Sequence, residues 1–423
     1  MTVTPFTRHR TVVVGAGFGG LAVARGLEDA DTDVILIDKR NHHTFQPLLY
    51  QVATAGLDAN DVCYPTRRIA RANPSLTAVH GCVRDIDFDE KVVVLDSGRE
   101  ISYDSLVLAL GGVTADFGVP GVTDHAFGLK SAADADSLRE HVLAAFESEG
   151  ASVGEGHPHR SGATTIVIVG GGPTGVELAG GYAELTSRVL LPDYPELDPD
   201  RVRVILVEGQ DALLAGFDPA LQHNAVETLR SMGVEVRLNT QVASVGATTV
   251  ELTDGSHIDS EIVVWAAGIR ANPLAEALGL ETGPGGRVII DDSLRIPAHP
   301  EVFAIGDFAA TTERDRLLPQ VAPVAMQAGA FVADRIMEAL DGRESHVRFV
   351  YKDKGAMATI GRNAAVVELP KGVKLKGFVG WVAWLGLHLV MLMGFRNRLS
   401  VFVKWAWNYL TYDRGSRALI HQR

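Results

Sequence analysis

Two glycine-rich turns, each lying between an apolar run and a helix-forming run, carry the first chemical signal in this 423-residue chain. Thr11-Val12-Val13-Val14 leads into Gly15-Ala16-Gly17-Phe18-Gly19-Gly20. In such a GxGxxG turn Gly15 permits the sharp reversal, Gly17 lets the backbone approach a pyrophosphate, and Gly20 lets helix and strand pack closely, while the first N–H groups of the helix face the phosphates. The next apolar run, residues 34–37, ends in Asp38, a carboxylate placed to accept both ribose hydroxyls of an adenosine. The pattern returns at residues 165–169, with Gly170, Gly172 and Gly175 in the turn and Glu208 after the following strand. The interval from Gly175 to Glu208 is long, and Pro192, Pro195 and Pro199 mark an insertion inside it.

Two fingerprints imply two dinucleotides, and two held side by side imply a flavin and a nicotinamide between which a hydride passes. Glu208 would repel a 2′-phosphate, and Gly209-Gln210 supplies no arginine to neutralise one, so NADH is expected over NADPH. Glu301-Val302-Phe303-Ala304-Ile305-Gly306-Asp307 reads as a further strand ending in Gly-Asp. Its place after the second fingerprint means that the first domain resumes there.

The elements that must position these residues follow from composition. Forty-six per cent hydrophobic and 22% charged residues exclude a disordered chain, and 44 glycines between β-branched runs point to α/β rather than a helix bundle. Two cysteines, Cys63 and Cys82, supply neither a CxxC redox pair nor a Cys-ligated metal site, which excludes thiol-dependent reduction. The β-branched run at Thr11 leaves no room for a secretory leader, so a cytosolic catalytic body is expected.

Charge is unevenly spread. The chain is −13 overall, yet residues 371–423 hold nine Lys/Arg against Asp413 alone, and four of the five tryptophans. The acidic body is a poor nucleic-acid binder, and no nucleic-acid partner is expected. The basic, tryptophan-rich tail suits anionic lipid headgroups. Residues 377–395 carry no formal charge if His388 is neutral, barely the length of a membrane span, and lysines or arginines flank both ends. Trp381, Trp384, His388 and Phe395 fall on one helical face, and Leu399, Phe402, Val403, Ala406 and Leu410 form a second stripe. Two interfacial helices therefore fit better than one span, with a dimerisation surface or a core helix as the alternative.

Three stretches narrow the resemblance: residues 40–53 (Arg-Asn-His-His-Thr-Phe-Gln-Pro-Leu-Leu-Tyr-Gln-Val-Ala), residues 321–329 (Val-Ala-Pro-Val-Ala-Met-Gln-Ala-Gly), and the tail. With both fingerprints, the whole chain resembles the type II NADH:quinone oxidoreductases, single-chain NADH dehydrogenases that do not pump protons. The resemblance implies FAD on Gly15, Gly17, Gly20, Asp38, Lys39, Gln46, Pro47, Gly111 and Asp307, the last holding the ribitol hydroxyls. It implies NADH on Gly170, Gly172, Gly175, Glu208 and Gly268, with the stretches ending at Gly111-Gly112 and Gly268 as paired crossover strands. His42 and His43 read as hydrogen-bonding loop residues. In the family two glutamines line the quinone site; here Pro323 replaces the first and Gln327 keeps the second. Lys354 matches a lysine near the quinone, or else is a solvated turn residue. Glu177 reads either as a carboxylate in the first helical turn steadied by the helix dipole, or, by resemblance, as a group beside the flavin that moves a proton or positions substrate.

The expected fold is α/β, with two Rossmann-like dinucleotide-binding domains (FAD and NADH) and a C-terminal amphipathic helical membrane-anchor segment. The expected order is an FAD domain over 8–115, a connection over 116–160, an NADH domain over 161–270, the FAD domain resumed over 271–370 with acceptor-site elements, and membrane or dimerisation helices over 371–423. The expected function is NADH oxidation through FAD with two-electron, ping-pong reduction of a membrane quinone, by a homodimer lying on the cytoplasmic face of the membrane. The rival readings are a soluble NAD(P)H-dependent reductase of a small redox protein and a flavin-based redox sensor that alters partner binding.

Overall fold

Parallel strands buried on both faces organise the chain, because each β-branched run is too apolar to leave either face in water. The computed structural model describes residues 8–314, 316–343 and 346–419. Two compact units emerge. The first runs to His43, takes Tyr64–Val113 and returns over Ile269–Asp353; the second takes Thr44–Cys63, Thr114–Gly268 and the described residues from Lys354 onward.

The first unit is built on a six-stranded sheet in the order Arg295–Ile296, His299–Ala304, Ser105–Leu108, His9–Val14, Thr32–Asp38 and Leu76–His80. All neighbours are parallel except the outermost pair, Arg295–Ile296 with His299–Ala304. Val302 and Ala304 are fully buried beside Leu106 and Leu108, so the chain re-enters this sheet late in the sequence. The helices Phe18–Gly26 and Ala322–Leu340 pack closely, since a Cβ at Gly329 would lie 2.4 Å from the Gly19 carbonyl oxygen.

The second unit has its own four-stranded parallel sheet, ordered Glu235–Arg237, Arg203–Val207, Thr165–Val169 and Ile262–Trp265. Its boundaries differ from the expected ones. Residues 44–63 form short helices that pack on Ala132–Gly154 and Pro173–Leu185, and the expected connection over 116–160 is largely the helix Ala132–Gly154 of this unit. Residues 354–370 join the tail rather than the first unit. The reason is a three-stranded antiparallel sheet, Ala356–Thr359, Ala365–Leu369 and Val373–Lys376, whose last strand passes directly into the helix Gly377–Met391.

The tail is two helices, Gly377–Met391 and Phe395–Thr411, and among the described residues no helix is long and apolar enough to cross a membrane. Residues 420–423 lie outside the described residues. The expected single face divides. Trp384 is 1% exposed and stacks on His388 at 3.9 Å, whereas Phe395 opens the second helix and is 81% exposed. The break has a backbone cause, for Gly394 sits at φ 82°, outside helical space. Burial depresses the His388 pKa to about 4, so residues 377–395 are uncharged at neutral pH. The second stripe does face outward: Leu399, Phe402, Val403 and Leu410 are all more than half exposed.

The opposite face of the second helix is held by polar bonds. Asn397 Nδ2 donates to the carbonyls of Asp61 at 3.0 Å and Cys63 at 2.9 Å, and Trp405 Nε1 donates to Gln51 Oε1 at 2.7 Å. Lys404, one of the basic residues that follow the uncharged stretch, pairs with Asp58 and with Asp61 at 2.6 Å. Asn397→Leu leaves buried carbonyls without a donor and is expected to cost about 1–3 kcal/mol in denaturant unfolding; an unchanged midpoint would show that the second helix contributes nothing to this unit's stability.

Candidate active site

The same local geometry is built twice. Gly15 sits at φ 108° and Gly170 at φ 110°, values that side chains disfavour, so each turn closes only on glycine. A Cβ at Gly20 would lie 1.8 Å from the Gly15 carbonyl oxygen, and one at Gly175 the same 1.8 Å from that of Gly170. At Gly17 and Gly172 a Cβ would meet nothing within 4 Å, leaving the backbone open to approach. The helices that follow start at these residues without any side-chain cap, so their first N–H groups are left for an anion.

Each carboxylate hooks its own turn. Asp38 accepts the Ala16 N–H at 2.6 Å and the Arg40 N–H at 2.7 Å. Glu208 accepts the Gly171 N–H at 2.5 Å and the Gln210 N–H at 2.8 Å. A carboxylate has lone pairs beyond these two bonds, so ribose hydroxyls remain acceptable partners. Both turns thus fit a dinucleotide on three independent counts: uncapped amides, an open glycine and a placed carboxylate.

Asp307 lies in the short turn Gly306–Phe308, where Gly306 has φ 69°. Its backbone carbonyl accepts from Gln320 Nε2 at 2.9 Å, and a Cβ on Gly112 would come 3.4 Å from its own Cβ. The parallel strands His9–Val14, Ser105–Leu108 and His299–Ala304 therefore deliver the glycine turn, Gly111 and Asp307 to one edge of the first sheet. In the second unit the glycine turn meets Ala266 and Ala267, two residues before Gly268, while Gly268 itself packs against Phe117. Lys39 is exposed after its strand; Gln46 is exposed and Pro47 half-buried in the short helix Gln46–Leu48. His43 is buried, and its Nδ1 contacts the Ala16 carbonyl at 2.9 Å; burial lowers its pKa, which suits a neutral structural imidazole.

Glu177 departs from its dipole reading. It is the fifth residue of the helix Pro173–Leu185, past the first turn, and faces the core rather than solvent. Burial raises its pKa to about 8. Two groups pull the other way: the Thr359 amide at a long 3.4 Å, and the Trp384 indole, which stands outside hydrogen-bond geometry. At neutral pH Glu177 is therefore largely a protonated acid.

Gln327 clasps the main chain with one donor and one acceptor site. Its Nε2 donates to the Lys352 carbonyl and its Oε1 accepts the Lys352 N–H, both at 2.9 Å. Pro323 lies in the first turn of the helix Ala322–Leu340, where a missing N–H costs nothing. Lys354 is exposed at the start of the strand-rich segment that joins the tail.

Residues 9–329 match the pyridine nucleotide-disulphide oxidoreductase family, and residues 354–412 match the NDH2 C-terminal domain. The type II NADH:quinone oxidoreductase NdhA of Mycobacterium tuberculosis is 38% identical, with 98% of this chain and 90% of that protein covered. The chain belongs to the type II NADH:quinone oxidoreductase family. A Staphylococcus aureus relative of the same description is 32% identical over 85% of this chain and 89% of its own length. At the level of fold, NDH2 from Plasmodium falciparum, solved in complex with NADH, superposes with a TM-score of 0.83 at 18% identity, covering 98% of this chain and 100% of that one. Although the wider family is named for a disulphide, Cys63 and Cys82 are free thiols here.

The neighbours of Glu177 are what motif reading missed. Tyr50, Thr359 and Trp384 make the surroundings of Glu177, and although spacing put Trp384 on a helical face, nothing local brings the three together. Because the folded-state pKa of Glu177 lies above its ordinary 4.5, the folded protein holds a proton that the unfolded chain has lost between pH 4.5 and about 8. That contribution is fully present below pH 4.5 and fades as pH rises through the window, by roughly 1.4 kcal/mol per pH unit at most. Glu177→Gln is expected to match the parent near the bottom of the window and to be more stable above its top; parallel stability-versus-pH curves for the two proteins would contradict a buried, protonated acid.

Proposed function

We propose that the chain oxidises NADH through FAD and passes two electrons to a membrane quinone, without coupling to proton translocation. The FAD side is assigned to Gly15, Gly17, Gly20, Asp38, Lys39, Gly111 and Asp307, with Gln46 and Pro47 added by family resemblance. The nicotinamide side is assigned to Gly170, Gly172, Gly175, Glu208 and Gly268. When bound, FAD supplies hydride acceptance and the storage of two electrons, which separates NADH oxidation from quinone reduction and gives ping-pong kinetics. The protein's own part is placement: amides for two pyrophosphates, carboxylates for two riboses, and a protonated Glu177. Reducing a quinone to a quinol takes up two protons along with two electrons, and a carboxylic acid with a pKa of about 8 is matched to donating one near neutral pH. Gln327 is assigned to the acceptor side as the residue that fixes the main chain at Lys352, two residues before Lys354.

One observation carries the choice of acceptor. The fold of the paired sheets is shared with soluble reductases, including putidaredoxin reductase in complex with putidaredoxin, at a TM-score of 0.64 and 22% identity. The match of residues 354–412 to the NDH2 C-terminal domain, together with two tail helices that expose Phe378, Val382, Phe402 and Leu410, favours a membrane-borne acceptor over a small protein. The chain is proposed to lie on the cytoplasmic membrane face as a peripheral homodimer.

Half-reactions separate the roles. Substituting Gln327 or Lys354 by Ala is expected to slow reoxidation of the reduced enzyme by quinone about tenfold while leaving anaerobic reduction by NADH nearly intact; equal slowing of both steps would assign these residues to the flavin instead. Cofactor choice is tested separately. Glu208→Ala with Gln210→Arg removes a repulsive charge and supplies a phosphate partner, so NADPH use relative to NADH is expected to rise by about tenfold or more. Unchanged discrimination would move the selection elsewhere in the fold.

A further inference from the structure

The second unit contains a cavity of about 110 Å³ accessible to water, lined by residues of the helix Pro173–Leu185, of both tail helices and of the segment that follows them. None of its lining residues is assigned above to FAD, NADH or quinone. Its walls differ in chemistry. Trp381, Leu385 and Trp405 form an apolar side, and Arg188, Arg362 and Arg414 stand against the single carboxylate of Glu184.

That carboxylate is already committed. Glu184 Oε2 accepts from Arg414 Nη2 at 2.9 Å, and its other oxygen takes the backbone N–H of Arg362. Arg414 is further bonded to the carbonyls of Thr54 and Gly181, so it is a satisfied structural cation. Arg188 and Arg362 have no carboxylate partner among the described residues. The Arg362 guanidinium lies 4.1 Å from the Tyr409 ring centroid and 4.0 Å from that of Tyr412, while its buried Nε and Nη1 have no hydrogen-bond partner. Stacking holds the plane of the guanidinium, with Nε and Nη1 buried and Nη2, neither bonded nor buried, as its accessible nitrogen. Together with the exposed Arg188 it offers a charge-assisted partner to an oxyanion.

The apolar wall says what the oxyanion is attached to. Trp381 and Leu385 belong to the first tail helix, whose outer face exposes Phe378 and Val382; Trp405 belongs to the second, which exposes Phe402, Val403 and Leu410. A ligand with a phosphate at one end and acyl chains at the other satisfies both walls at once. We propose that this cavity binds the phosphate of an anionic membrane lipid, with Arg362 and Arg188 as its partners and the acyl chains lying along the tail helices. The proposal rests on the membrane reading above and adds to it a specific headgroup site, beyond the diffuse attraction of a basic tail.

The test uses the full-length holoenzyme and sedimentation with vesicles of phosphatidylcholine alone or mixed with phosphatidylglycerol. Arg362→Gln is expected to weaken binding to the mixed vesicles about tenfold, while Arg396→Gln, which removes the same charge from an exposed tail position, has a much smaller effect. Binding to pure phosphatidylcholine should be alike for all three proteins, and Arg362→Lys, which keeps the charge but not the plane stacked between Tyr409 and Tyr412, should fall between parent and Arg362→Gln. Equal losses for Arg362→Gln and Arg396→Gln would overturn the site and leave only diffuse electrostatics. Failure of the parent to bind either vesicle would overturn the membrane reading itself, a different result. Monomeric short-chain phosphatidylglycerol should bind in calorimetry; inorganic phosphate binding as tightly, or displacement by a short-chain quinone, would overturn the lipid assignment. Retained NADH oxidation with a water-soluble acceptor shows that each variant is folded.

Discussion

The geometry of both glycine turns depends on two places where a helix comes too close to the preceding turn for any side chain to intervene. At Gly20 and Gly175 a Cβ would lie 1.8 Å from a carbonyl oxygen, inside any tolerable contact. That closeness points the start of each helix at the end of its strand. The uncapped amides therefore gather where the parallel sheet ends, which is also where the next strand delivers Asp38 or Glu208. Bulk at either glycine would tilt the helix, and the amides, carboxylate and open glycine would no longer converge. The dinucleotide geometry is thus a consequence of packing rather than an addition to it.

Glu177 shows the opposite dependence, on contacts that are distant in sequence. Its acid strength is set by desolvation, and what removes the water is the strand Ala356–Thr359 on one side and Trp384 of the first tail helix on the other. Gly180, one turn on, would place a Cβ 2.7 Å from the carbonyl carbon of Ile360, so this helix and that strand are pressed together. Trp384 is in turn fixed by His388, stacked at 3.9 Å, and by Tyr50, ring to ring at 6.0 Å. The tail therefore does two jobs: its inner face keeps a carboxyl group dry and protonated, and its outer face stays apolar.

This division explains what the sequence disclosed. Glycine turns, the carboxylates after them and the Gly-Asp strand end are local patterns whose geometry a few neighbouring residues enforce, so Gly15, Gly17, Gly20, Asp38 and their counterparts could be read directly. Glu177 could be named but its two readings could not be separated, because its protonation is set by burial under residues some 180 and 210 positions later and not by helix position. Gln327 was legible as a motif residue, yet its bidentate clasp on Lys352 depends on a loop that no periodicity marks. Apolar spacing in the tail foretold two helices, but Trp384 and Phe395 were assigned one face because nothing in hydrophobic periodicity reports the backbone break at Gly394. Lys404 showed only as one more basic residue of the tail for a related reason: its partners, Asp58 and Asp61, lie more than three hundred residues earlier.

The way the second tail helix is attached bears on how such a surface can be tolerated in water. A helix held only by its apolar face would have to choose between the protein and the lipid, since the same side chains would serve both. Here the attachment combines the buried Val401 with polar bonds from Asn397, Lys404 and Trp405, and the apolar residues Leu399, Phe402, Val403 and Leu410 are left out of it. Buried hydrogen bonds are costly to break without replacement and do not weaken when apolar surface meets lipid. The inward face can then stay fixed whether or not the outward face is covered, so arrival at a membrane need not rearrange the groups around Glu177. With its outward apolar residues left out of the attachment, the second helix holds its place against the protein while that outer face stays uncovered.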